Sequence, residues 1–196
     1  MGEPRKLFSV RIENKNANGG WLLSIASLEA VLPGLVAQRL EVPRRIDWQV
    51  VFDGLGTGLP DDYIALAESY PGLKIGEFLF VTSPAPGGEA GFVEAKREDL
   101  AGAEDMAQKE MLGGYPAFPE SGGLLLWGSS IDGDEFYWRT AGQPNEWTVV
   151  VAGRNDDWFH YEGSLSSYLA WLCSGTAAPH GLPPNFPGPE PVVSVG

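Results

Sequence analysis

Apolar residues in this chain fall into two rhythms, one stepping by three and four, the other alternating or running on briefly between turn residues. Trp48, Val51, Phe52 and Leu55 lie at i, i+3, i+4 and i+7, which predicts a helix with one buried face, ended by Gly56 and Gly58. "LPDDYIALAESYPG" predicts a second. Pro60 suits a first-turn position, Asp61 and Asp62 complement the positive end of the helix dipole, and Tyr63, Leu66 and Tyr70 form the apolar stripe before Pro71-Gly72 stops it. "IGEFLFVTSP" reads as one short strand closed by the Pro- and Gly-rich "PAPGGEAG". From Glu94 to Leu112 the helical rhythm returns, with Leu100, Ala103, Ala107 and Met111 expected to face inward, until "GGYPAFPESGG" breaks it.

Strand signals dominate next. "LLLWGS", "EFYWRT", "WTVVVAG" and "DWFHYEG" are short apolar or aromatic runs joined by connections too short for crossover helices, so an antiparallel meander is expected. "GSLSSYLAWLCSG" predicts a closing helix, with Ser164 as N-cap, Leu165, Tyr168, Leu169 and Leu172 on one face, and Gly175 beyond its end. The fold class expected is α+β, a mostly antiparallel sheet with packed helices.

Both ends are less patterned. Residues 1–45 read as an N-terminal extension, helical or weakly ordered, in which "LFSVRI" can form a strand and "GWLLSIASLEAVLPGLVAQRL" a helix interrupted by Pro33 and Gly34. Residues 46–175 form the main domain, and 176–196, rich in Pro and Gly, are expected to be a disordered tail.

Composition narrows the function classes. With 43% hydrophobic and 11% aromatic residues the chain has the material for a buried core. The net charge of −13 is uneven: residues 1–45 carry seven bases and four acids, residues 46–196 six bases and twenty-two acids. Such a field repels nucleic acid and anionic lipid, which bind proteins through Lys and Arg; on charge alone it is expected to serve solubility, and if it serves binding a basic protein is the natural partner. No stretch approaches the ~20 apolar residues of a membrane span. Cys173 is the single cysteine, in an apolar run without a nearby base, and is expected to be a buried thiol. The start carries no signal-length apolar run, and the expected location is cytoplasmic.

Candidate chemistry concentrates in "IDGDEFYWRT". Asp132 and Asp134 at alternate positions resemble the start of a calcium loop, but position five is Phe136 and position twelve Gln143, which breaks the pattern. A turn with Gly133 at positive φ explains the segment better. Asp132, Asp134 and Glu135 as a divalent-metal hydrolase site is the least favoured reading. The carboxylate pairs Asp61/Asp62 and Asp156/Asp157 sit where helix starts and turns expose them, whereas catalytic tuning needs burial or a close partner. His160 alternates with Phe159 and Tyr161 as a strand residue, and "GLGTGLP" lacks dinucleotide-fingerprint spacing. No catalytic residue, cofactor or metal ligand is assigned.

The order of these segments is similar to the SUKH superfamily in its Smi-one/Knr-four-like branch. The likeness is carried by the "LPDDY" helix start, by the W-G-x-x-x-x-G-D strand-turn-strand of Trp127 to Asp134, and by the "WFHYEGSLSSYLAWL" ending; it covers roughly 46 to 175. The resemblance implies an α+β fold without catalytic activity. It also implies a cytoplasmic immunity protein that neutralises a cognate toxin, often a nuclease, in a bacterial polymorphic toxin system, or alternatively a scaffold or regulator of the same fold. The acidic main domain suits a basic toxin. Asp132, Asp134, Glu135 and Trp138, with Asp156, Asp157 and Trp158, are the expected partner-binding residues, the two Trp acting as anchors among acids.

Overall fold

A computed structural model describes residues 7–10 (backbone only), 25–154, 156–175 and 181–196. Eight strands form one sheet in the order β1-β7-β6-β5-β4-β3-β2-β8. The strands are β1 (Leu7–Val10), β2 (Leu73–Ile75), β3 (Leu79–Val81), β4 (Leu124–Ser130), β5 (Glu135–Arg139), β6 (Thr148–Gly153), β7 (Asp157–Tyr161) and β8 (Val193–Ser194). Every neighbouring pair is antiparallel except β1 with β7. The α+β class and the β4-to-β7 meander are as expected. The connections there are tight turns and one 3-10 turn at Pro144–Glu146, which leave the chain no length to cross over.

One sheet face is buried under α1 (Ile25–Val31), α3 (Trp48–Leu55), α4 (Asp61–Ser69) and α6 (Leu165–Cys173). Leu28, Val51, Tyr63, Trp127, Phe136, Trp138, Phe159 and Tyr168 meet there in a single aromatic-rich core. Ser164 caps its helix as expected, accepting from the Ser167 amide, and the structure adds Asp47 as the cap of α3, accepting from the Val50 amide. The opposite face is covered at one side by the end of α5 (Glu89–Gln108) and the segment after it, through Ala103, Leu112, Tyr137, Val150 and Trp158.

Four expectations are corrected. "IGEFLFVTSP" is not one strand but the hairpin β2–β3, because Gly76 and Glu77 both take positive φ (62° and 54°) and fold the run back on itself. The long helix begins at Glu89, five residues earlier than read, where the Glu89 carboxylate accepts from the Asp47 amide. It ends at Gln108, so Met111 stands 56% exposed instead of facing the core.

The N-terminal extension, third, is not a separate arm over its described helical part. From Ile25 it is part of the same core: α1 and α2 (Pro33–Val36) split where Pro33 breaks the run, and Leu28, Leu32 and Leu35 are fully buried. The fourth concerns the tail. Residues 181–196 are ordered against the sheet. Gly181 packs on Gly153, Leu182 enters the core, Phe186 lies 4.6 Å ring to ring from Phe78, and Val193 pairs with Ile75. Gln38 clasps this strap by donating to the Val193 carbonyl and accepting from the Val195 amide. The early apolar residues 21–24 and His180 lie outside the described residues.

Candidate partner-binding surface

The antiparallel register brings three turns to one end of the sheet. Ile75 faces Leu79, Ser129 faces Glu135 and Gly153 faces Asp157, so the tips at 76–78 and 131–134 stand side by side with Arg154 and Asp156 of the third. They are joined: the Ile131 amide donates to the Phe78 carbonyl, and the Arg154 amide to Asp134 Oδ1 at 3.2 Å. The strap of residues 181–193 runs along this same end, from Gly153 past Phe78 to Ile75.

Two glycines make the central turn possible. Gly133 sits at φ 89°, which only glycine adopts without strain, and reverses the chain between β4 and β5. Gly128 lies where β3 crosses closely; a Cβ there would stand 2.5 Å from the Phe80 carbonyl oxygen. The W-G-x-x-x-x-G-D pattern is thus one device, a close strand pairing followed by a tight corner.

The expected site residues divide on burial. Asp134 is 1% exposed; its Oδ2 accepts from Ser130 Oγ at 2.5 Å, while its own amide donates back to that hydroxyl at 3.0 Å. It organises the turn. Trp138 (3%) and Trp158 (5%) are core residues on opposite faces of the sheet, so neither serves as an exposed anchor. Glu135 is half-buried and accepts from the Tyr137 hydroxyl at 2.6 Å. Together with burial, that carboxylate holds the Tyr137 phenol well above its ordinary value. Asp156, at φ 58°, turns outward and accepts from the Trp158 indole N–H at 2.8 Å.

Asp132 and Asp157 are exposed, Asp132 with Arg154 at 3.7 Å. Between the outer tips stands Ile131, 69% exposed, and on the far tip Glu77, paired with Lys74. The surface therefore carries Glu77, Asp132, Asp156 and Asp157 around Ile131, with exposed Val192 of the strap beside the Gly76 turn. Sequence reasoning missed Ile131 and Glu77. The signal for Ile131 was its place beside Asp132 and Gly133, where a core residue has no sheet to face.

The carboxylates are not gathered as a metal centre. Asp134 points inward to Ser130, Asp132 outward to Arg154, and among the described residues no group of three or more His, Cys, Asp or Glu is placed to hold a metal ion. Cys173 is buried and its thiol is pushed up to about 12 by desolvation, far from the reactive thiolate range. His160 shares a 2.8 Å hydrogen bond with Thr148 Oγ1, and burial, with the Arg139 charge beside it, holds its pKa below the ordinary 6.5. No described helix is long and apolar enough to cross a membrane. Comparisons with protein-family models, with curated proteins and with solved structures each find no match to this chain.

Proposed function

We propose that this protein is a non-enzymatic binding module of the immunity type, which neutralises a basic protein toxin by docking it on the hairpin-tip end of the sheet. The observation that carries the reading is the gathering of Glu77, Asp132, Asp156 and Asp157 around exposed Ile131 by three turns braced against one another. An aliphatic side chain ringed by charge has the anatomy of an anchor with a polar rim. The net charge of −13 steers a basic partner toward it. The motif resemblance to the SUKH superfamily supports the same reading.

The test is titration calorimetry against the toxin encoded by the adjacent gene, with a parallel assay of cell rescue. Asp132→Lys combined with Asp157→Lys is expected to weaken binding at least about tenfold and to flatten its salt dependence. Ile131→Ser is expected to weaken it about as much while folding is retained. Absence of binding by the unmodified protein, together with absence of rescue, would overturn the proposal.

A further inference from the structure

The end of the sheet away from the tips holds an arrangement that a toxin-docking surface does not use. Arg139 on β5 faces Thr148 on β6 in register, and His160 on β7 bonds Thr148, so three neighbouring strands present Arg, Thr and His in a row on one face. Four residues of strand separate Arg139 from Glu135, placing the row ~13 Å from the acidic tips. Tyr115 leans over it, edge-on to the His160 ring at 6.4 Å and tilted against Trp158 at 6.1 Å.

Two donors in this row lack acceptors. The Tyr115 hydroxyl is buried without a hydrogen-bond partner. Arg139 is half-buried, yet it forms no ion pair or hydrogen bond through its guanidinium among the described residues, although the chain has twenty-six acids. Its guanidinium lies beside Gly122, where a Cβ would stand 3.5 Å from Nη2, in ordinary van der Waals contact. Burial raises the Tyr115 pKa and lowers that of His160, and the nearby Arg139 charge lowers both, opposing burial at Tyr115 and adding to it at His160. Desolvating a guanidinium and a phenol without partners is unfavourable, and both are relieved by the same thing, an anionic acceptor between them. The planar fork of Arg matches a carboxylate with two parallel bonds, and Tyr adds a third. Tyr137, Val150 and Trp158 supply apolar surface beside it.

We propose that Arg139 and Tyr115 form a binding site for an organic carboxylate on the sheet face opposite the main helices, with the Thr148–His160 pair as its fixed polar wall. The carboxylate belongs either to a small molecule or to the free C-terminus of a peptide, and the two sources are separable. The experiment is NMR titration of the full chain, following the Arg139 Nε–H and Trp158 indole signals, with succinate in one arm and trialanine in another. Amidated trialanine is the control.

Saturable shifts with succinate assign a small-molecule carboxylate. Saturation with trialanine alone, lost on amidation, assigns a chain terminus. Either supports the site, provided that Arg139→Gln abolishes the shifts and Tyr115→Phe weakens binding about tenfold. Tyr115→Phe must also leave the ligand-free melting temperature unchanged or raised, because it removes a hydroxyl that has no partner; this separates a binding role from a structural one. No saturation by either probe up to about 10 mM, or undiminished binding by folded Arg139→Gln, overturns the proposal.

Discussion

The β4–β5 tip and the β6–β7 tip stand next to each other, carry the same acid-rich chemistry, and use their acids in opposite ways. In the first, Gly133 folds the turn so tightly that Asp134 points back under it, where Ser130 and the Arg154 amide enclose its carboxylate. In the second, Asp156 turns outward and accepts from the Trp158 indole N–H at the surface. Two positions from a buried, structural aspartate sits an exposed one, Asp132. What decides the role of an acid here is whether backbone amides and hydroxyls lie within reach. Its place in a charged run does not.

The strap of residues 181–193 packs on Gly153 at the β6–β7 tip and on Phe78, whose carbonyl accepts from the Ile131 amide of the β4–β5 tip, so the strongest way to break the contrast is from beneath. Phe186→Ala removes a ring packed on Phe78 and is expected to cost about 3 kcal/mol, read by urea denaturation. If the strap braces the tips, hydrogen exchange at Gly76, Ile131 and Arg154 should rise together. A loss of less than about 0.5 kcal/mol, with exchange unchanged, would return the tail to the status of an appendage.

Asp134→Ala comes next, at about 2–3 kcal/mol, because Ser130 Oγ and the Arg154 amide lose their shared acceptor in a site closed to water. The equivalent change in the neighbouring turn, Asp156→Ala, is expected to cost about 1 kcal/mol or less, since an exposed turn lets water replace the carboxylate on the indole N–H. Thermal or chemical denaturation of the two variants side by side measures the contrast. Equal losses would mean that the two acids are held alike.

The same contrast explains what the sequence disclosed. Helices α3, α4 and α6 and the four strands of the meander announce themselves, because each buries one regular stripe: Val51 and Leu55, Tyr63 and Leu66, Leu165, Tyr168 and Leu172. The strap has no stripe. Leu182, Phe186 and Val193 bury by filling separate gaps, at no fixed period, in a segment whose Pro and Gly content reads as disorder. Hairpin β2–β3 hides inside a mostly apolar run, with the Gly76-Glu77 pair at its centre the local sign of a turn. Trp138 and Trp158 mislead for another reason. Alternation marks exposed positions only when one sheet face meets water, and here both faces are covered where these residues lie. The Arg139–Thr148–His160 row is invisible in one dimension, since its members are neighbours only through strand register.

The smallest effect is the most discriminating for the tip surface. Asp132 has only a 3.7 Å pairing with an exposed Arg154, and Asp157 stands exposed beside Asp156, so replacing both by Lys removes little and relieves crowding among like charges. The expected change in stability is within about 0.5 kcal/mol, and it should shrink further in high salt, where exposed charges are screened over roughly a Debye length. Denaturation at low and high ionic strength checks both statements. A loss above about 1 kcal/mol that persists in salt would show these acids to be bonded into the turns like Asp134, and the tips would then be a structural end of the sheet with no charge left over for a partner.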